Sequence, residues 1–225
     1  MDAMHKGEPR MHFRYLILAA ALAAAGTAGA QTAASNQTLP RPAEFYFDAD
    51  AQATKPVVAI RETGDAAVAK LLKLIERDPR AKAEHAQLAH LAMAGGRTDL
   101  GRELYGRALV RITPSDGMWR AVMWNYGWDL YRAGDAGAAL EQWRALLTSR
   151  STTPSWVPPT LAMVLWTLGR KDEAVNWYAA AVRTEPEQFR GTARHAQVLP
   201  DWTDAERFTL AQVQAAWARN PPAWR

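Results

Sequence analysis

The sequence predicts an all-α protein, a solenoid of stacked helix–turn–helix units closed by a C-terminal capping helix. Three observations carry this. Glycines Gly96, Gly134 and Gly169 stand 38 and 35 residues apart. Around each of them the same residue types recur at the same offsets. Near the C-terminus, Thr203-Asp204-Ala205-Glu206 has the pattern of a capping box, in which the Thr hydroxyl and the Glu carboxylate each satisfy a free backbone N–H.

The recurring offsets have a physical meaning. Five residues after each glycine comes a small residue (Gly101, Ala139, Ala174), and nine after comes an aromatic one (Tyr105, Trp143, Tyr178). Thirteen after comes an aliphatic residue (Leu109, Leu147, Val182). Seven before stands another small residue (Ala89, Gly127, Ala162), and eight before a large apolar one (Leu88, Tyr126, Leu161). The glycine ends a first helix at low cost in a left-handed conformation. The small residues let a second helix approach the first, and the aromatic fills the space toward the next pair. One such unit cannot bury its apolar face alone, so units stack.

This pattern resembles the tetratricopeptide repeat (TPR) family. The best copy runs Leu161-Ala162, Leu165, Gly169, Ala174, Tyr178, Ala181-Val182 and Pro186. The second departs by placing Leu146 where the family has a small residue and Ser151 in place of the closing proline. The first has Gly101 in place of alanine. The resemblance covers residues 82–186, about half the chain, and implies a right-handed solenoid with full repeats over 82–115, 120–153 and 155–188. It is specific for fold and unspecific for function, since such arrays bind many kinds of partner.

From the N-terminus, residues 1–30 read as a signal peptide. The apolar run 16–25 is ten residues long, too short to span a membrane and suited to a signal-peptide core. Arg14 precedes it, and Ala28 and Ala30 suit cleavage after Ala30. Met11 makes a better start than Met1, because the first ten residues fit no signal architecture. Residues 31–64 lack helical periodicity and read as a flexible or extended leader, with Asp48 and Asp50 in a turn. The 65–225 stretch is the helical domain. Residues 65–79 match the second half of a repeat, since Ala67, Leu71, Leu74 and Ile75 precede Pro79 as Ala174, Tyr178, Ala181 and Val182 precede Pro186. A further partial unit occupies 187–219. It comprises a first helix over 186–197 and the capping helix over 204–218, with Leu210, Val213 and Trp217 on one face.

Composition narrows the function. The chain has 225 residues and no cysteine, which excludes disulfide staples, thiolate metal sites and a cysteine nucleophile. Removing residues 1–30 leaves a formal charge of +3, with the basic residues scattered; nucleic-acid binding needs a clustered basic stripe. His85 and His90 are five apart and point away from each other on a helix, so no metal site is expected. The catalytic motifs of hydrolases, nucleotide binders and metalloproteases are missing, so neither an enzyme nor a cofactor is expected.

The ten tryptophans all fall between Trp119 and Trp224. In proteins of the family resembled, the first helix of each unit lines a concave groove. On that face the sequence places Trp124, Asn125, Trp128, Tyr131 and Arg132 in the second unit, Trp156, Met163 and Trp166 in the third, and His90 in the first. Asn125 and Arg132 would be polar anchors, with Arg132 able to grip a carboxylate through two parallel hydrogen bonds. The alternative is that these tryptophans pack neighbouring helices, as Trp143 does. The expected function is a non-catalytic scaffold of the bacterial envelope, periplasmic or secreted, that binds a protein or extended peptide. A glycan- or peptidoglycan-binding accessory is the alternative.

Overall fold

The computed structural model describes residues 38–44 and 48–223. The expected signal peptide with its cleavage after Ala30, the start at Met11, residues 31–37 and 45–47 of the leader, and Trp224 lie outside the described residues. Those residues form ten helices and no strand, apart from one isolated bridge between Asp48 and Pro154.

Helix α1 (Gly64–Arg77) packs on α2 (Lys82–Ala94), which forms a hairpin with α3 (Thr98–Leu109). Helices α4 (Gly117–Arg132) and α5 (Ala136–Thr148) form a second hairpin, and α6 (Val157–Thr167) and α7 (Lys171–Thr184) a third. Each hairpin touches the next: α2 and α3 contact α4, and α5 contacts α6.

The three hairpin turns are built alike. Gly96, Gly134 and Gly169 have φ of +75°, +87° and +79°, the left-handed region that a side chain would strain. The residue after each glycine donates back across the turn, Arg97 to the carbonyl of Ala92 at 2.8 Å, Asp135 to Leu130 and Arg170 to Leu165 at 2.9 Å. These bonds satisfy carbonyls that the helix end leaves free. Asp116 and Asp135 cap the N-termini of α4 and α5, accepting from the Met118 and Ala138 amides.

Inside the hairpins the recurring offsets do what their chemistry demands. Tyr105, Trp143 and Tyr178 are fully buried, as are Ala89, Ala139, Ala162 and Ala174. At Gly127 the Trp143 indole lies so close that an added Cβ would sit 2.4 Å from its Nε1. Any larger residue there would separate α4 from α5.

The C-terminal part departs from expectation. A single first helix over 186–197 does not form. Two four-residue helices, α8 (Pro186–Phe189) and α9 (His195–Val198), stand there instead. The Tyr178 hydroxyl explains the break: it donates to the Phe189 carbonyl at 2.6 Å, taking an acceptor that a continuing helix would use, and lies 3.2 Å from His195 Nε2. Helix α10 (Asp204–Arg219) begins with the expected capping box, Glu206 N–H to Thr203 Oγ1 at 3.3 Å and Thr203 N–H to Glu206 Oε2 at 2.7 Å. It packs across α6 and α7, burying Leu210 and Val213, with Trp217 half-buried.

Residues 48–60 form a strap along the N-terminal hairpins. Its anchor is Asp50, buried at 5% exposure and held at φ +46°. The Asp50 carboxylate accepts from both Arg120 nitrogens Nε and Nη2, from Arg150 Nη1 at 3.0 Å and from Trp156 Nε1 at 3.2 Å. Burial by itself would raise its pKa. The hydrogen bonds from Arg120 and Trp156 and the charges of Arg120 and Arg150 outweigh that and hold the carboxyl below the usual 3.8. Asp48 pairs with Arg150 at 2.6 Å, so the turn read from these aspartates is also an ion-paired clasp.

Candidate functional site

Helices α2, α4 and α6 face a cavity of about 650 Å³. The strap covers one side of it with Pro56, Val57 and Val58, and the segment from Val198 to Trp202 covers another. Of the expected groove residues, His90, Trp124, Asn125, Trp128, Arg132 and Trp156 line this cavity.

Tyr131, Met163 and Trp166 do not line it, and here the expectation is corrected. The Trp166 indole donates to Gln212 Oε1 of α10 at 2.9 Å, with Lys171 Nζ 3.7 Å over its ring. Tyr131 bonds the Thr167 hydroxyl at 2.9 Å, and Met163 is fully buried. The physical reason is α10, which packs on α6 and takes over the face an open groove would use.

Openness needs correction as well. Trp128 is only 7% exposed, because Trp202 packs edge-on against it at 5.1 Å and Arg132 lies 5.1 Å over its ring. Trp124 is half-buried and meets Trp128 at 5.6 Å and Trp156 at 4.7 Å. The tryptophans thus serve both readings at once: they pack with one another and together form a continuous indole wall. Trp202, which carried no role in the sequence, completes that wall.

The expected polar anchors perform the expected chemistry on the chain itself. Arg132 grips the Glu206 carboxylate with two nitrogens, Nε at 2.9 Å and Nη2 at 3.3 Å. Asn125 Nδ2 donates to the Lys55 carbonyl of the strap at 2.7 Å. Gln87 repeats the device: its Oε1 accepts from the Ala59 and Ile60 amides at 2.8 and 2.9 Å, and its Nε2 donates to the Ile60 carbonyl at 2.9 Å.

A polar cluster that the sequence did not reveal stands beside the wall, built on the buried Asp129 with a half-exposed His90. His90 Nδ1 lies 2.9 and 3.0 Å from the two Asp129 oxygens, and the Tyr105 hydroxyl donates to Asp129 Oδ2 at 2.6 Å. A carboxylate only accepts, so Nδ1 carries the proton and Nε2 is left for the cavity. The Asp129 hydrogen bond raises the His90 pKa above 6.5, against the opposing effect of burial. His90 and Asp129 are 39 residues apart, one position out of the 38-residue register, so the repeat sets their two helices side by side without marking this pair. Thr160 also lines the cavity; it is 1% exposed, and its hydroxyl has no hydrogen-bond partner among the described residues.

The fold and site therefore define an all-helical protein of packed hairpins with a walled cavity on the side of its first helices. Comparison of the chain with protein-family models, with curated proteins and with solved structures finds no match.

Proposed function

We propose that the protein is a non-catalytic interaction module of the bacterial cell envelope, a TPR-type right-handed solenoid that holds extended peptide segments on its concave face. The observation that carries this reading is the way Asn125 and Gln87 hold residues 55–60. Side-chain amides that bond backbone N–H and C=O groups read an extended chain without regard to its side chains, so the same face is suited to segments of varied sequence. The strap then acts as a peptide ligand in cis. The signal-like run 16–25 supports export.

A labelled peptide of sequence 48–61 tests it. A tethered strap competes at a high effective concentration, on the order of millimolar. The full chain should therefore bind the peptide poorly, and the Asp50→Ala variant, whose strap has lost its anchor, should bind it at least tenfold more tightly. Equal failure of both chains in fluorescence anisotropy would remove the reading.

The continuous indole wall favours a second reading, a glycan-binding accessory, because indole faces stack on the apolar faces of sugar rings.

A further inference from the structure

The strap, and Glu44 just ahead of it, meet the body through charge as well as backbone. Glu44, Asp48 and Asp50 are all the acidic residues between positions 31 and 60. Each pairs with an arginine of the body. Glu44 pairs with Arg183 of α7, Asp48 with Arg150 in the turn after α5, and Asp50 with both Arg150 and Arg120 of α4. The three arginines stand on three separate segments and form a row across the second and third hairpins.

Two of these pairs are largely buried. The Asp50 and Arg120 side chains are 2% and 14% exposed, and those of Glu44 and Arg183 are 22% and 20%. Arg120 is also held by the Ser149 hydroxyl at 2.6 Å, and the Trp156 indole adds a further donor to Asp50. Backbone contacts continue the same track. The Ser155 amide donates to the Asp48 carbonyl at 2.8 Å, and Asn125 and Gln87 hold residues 55, 59 and 60.

A segment that only covered the hairpins would need none of this charge. A buried ion pair adds little net stability, because taking both groups out of water costs about what their attraction returns. Helix α10 shows the apolar alternative, in Leu210 and Val213. What ion pairs supply is selectivity. Guanidiniums left partly buried without a counter-charge disfavour a neutral segment and favour one that brings carboxylates to the same places.

We propose that the row of Arg120, Arg150 and Arg183 reads acidic peptide segments. The partner is a protein segment with carboxylates at the spacing of residues 44, 48 and 50. It runs as the strap runs, from the third hairpin toward the first, with its carboxylates on the row and its following backbone on Asn125 and Gln87. The strap holds the row until such a segment displaces it. The proposal rests on the peptide reading and narrows it from segments of varied sequence to acidic ones.

Fluorescein-labelled peptides of sequence 40–61 test it in fluorescence anisotropy. One is natural, and a second carries Glu44→Gln, Asp48→Asn and Asp50→Asn. A third keeps the three carboxylates in place and shuffles the other residues. The host is the full chain with the same three substitutions in its own leader, so that the row is intact and its cis ligand weakened. Both acidic peptides should bind about tenfold or more tightly than the neutral one, the worth of charge-assisted hydrogen bonds. Adding Arg120→Gln to the host should narrow that ratio to about threefold or less. Arg183→Gln should narrow it as well, which keeps the test intact if the first variant does not fold. Equal binding of all three peptides, or a ratio unchanged by both arginine variants, overturns the proposal and leaves the peptide reading standing. Binding of the natural peptide alone overturns it too, since recognition is then confined to the strap's own sequence. A parent chain that elutes as a dimer, and as a monomer once its three carboxylates are neutralised, makes a second copy the occupant and also overturns it. Failure of every peptide to bind removes the proposal and the peptide reading together.

Discussion

The strap and helix α10 both cover the hairpins, and they do it by opposite physics. Helix α10 is held mainly by apolar burial: Leu210 and Val213 are fully buried against α6 and α7, with the Glu206–Arg132 ion pair at its start and the Trp166–Gln212 hydrogen bond along it. The strap buries little beyond Ala53 and Ile60 and is held by polar bonds, those of Asp50 with Arg120, Arg150 and Trp156 and those of its backbone with Asn125 and Gln87. Apolar burial is non-directional and belongs to the core, whereas polar bonds to a segment can be exchanged for bonds to water. The cap is therefore held as the core is held, and the strap by bonds that water can replace.

The largest break in this contrast comes from Leu210→Ala. It should cost about 2–5 kcal/mol, read as a lower urea midpoint for the whole domain. Asp50→Ala should cost less, about 1–3 kcal/mol, because Arg120 and Arg150 regain water once the strap lifts. Its signature is local: the Ala59 and Ile60 amides exchange faster while amides in α4 and α5 keep their protection.

Acid separates the strap from the segment before the cap next. The Asp50 carboxyl is held below 3.8 in the folded chain, so its contribution is present above that value and is lost as pH falls through the held-down value. His195, buried beside Tyr178 and Phe189, has its pKa lowered from 6.5 by burial. Its contribution is complete above 6.5 and drains as pH falls below it, while the strap is still closed. His90 runs the other way. Its pKa is raised, so the stability it gains from Asp129 is complete below 6.5 and is lost as pH rises through the raised value. Melting of His195→Phe and His90→Gln across this range should tilt in opposite directions relative to the parent chain. The smallest effect is expected at Phe208, 66% exposed on the outer face of α10: Phe208→Ser should change stability by no more than about 0.5 kcal/mol in the same urea titration.

The same contrast decides what was legible in the sequence. Helix α10 carries local signals, and its expected span of 204–218 meets an observed Asp204–Arg219. The turn glycines, the buried aromatics and the close approach at Gly127 were legible because each is repeated at a fixed offset. The strap carries no period, and its anchor bonds reach 70 to 106 residues along the chain, so Asp50 read as a turn residue. For the groove, the face of α4 was legible and its occupant was not. Arg132 and Asn125 were read as anchors for a partner, yet they hold Glu206 and Lys55, because sequence spacing reports which way a side chain points on its helix and not what folds back over it. Tyr131, Met163 and Trp166 went astray for that reason too.

The cavity takes its walls from segments that lie far apart along the chain, and this fixes when it comes into being. Each hairpin closes over a few tens of residues and can form early and independently. The bonds of Asp50 to Trp156 and of Arg132 to Glu206 close loops of 106 and 74 residues, and such contacts form only after the local ones. The cavity therefore needs loop closures longer than any within a hairpin. A compound bound there reports that strap, hairpins and cap have all come together.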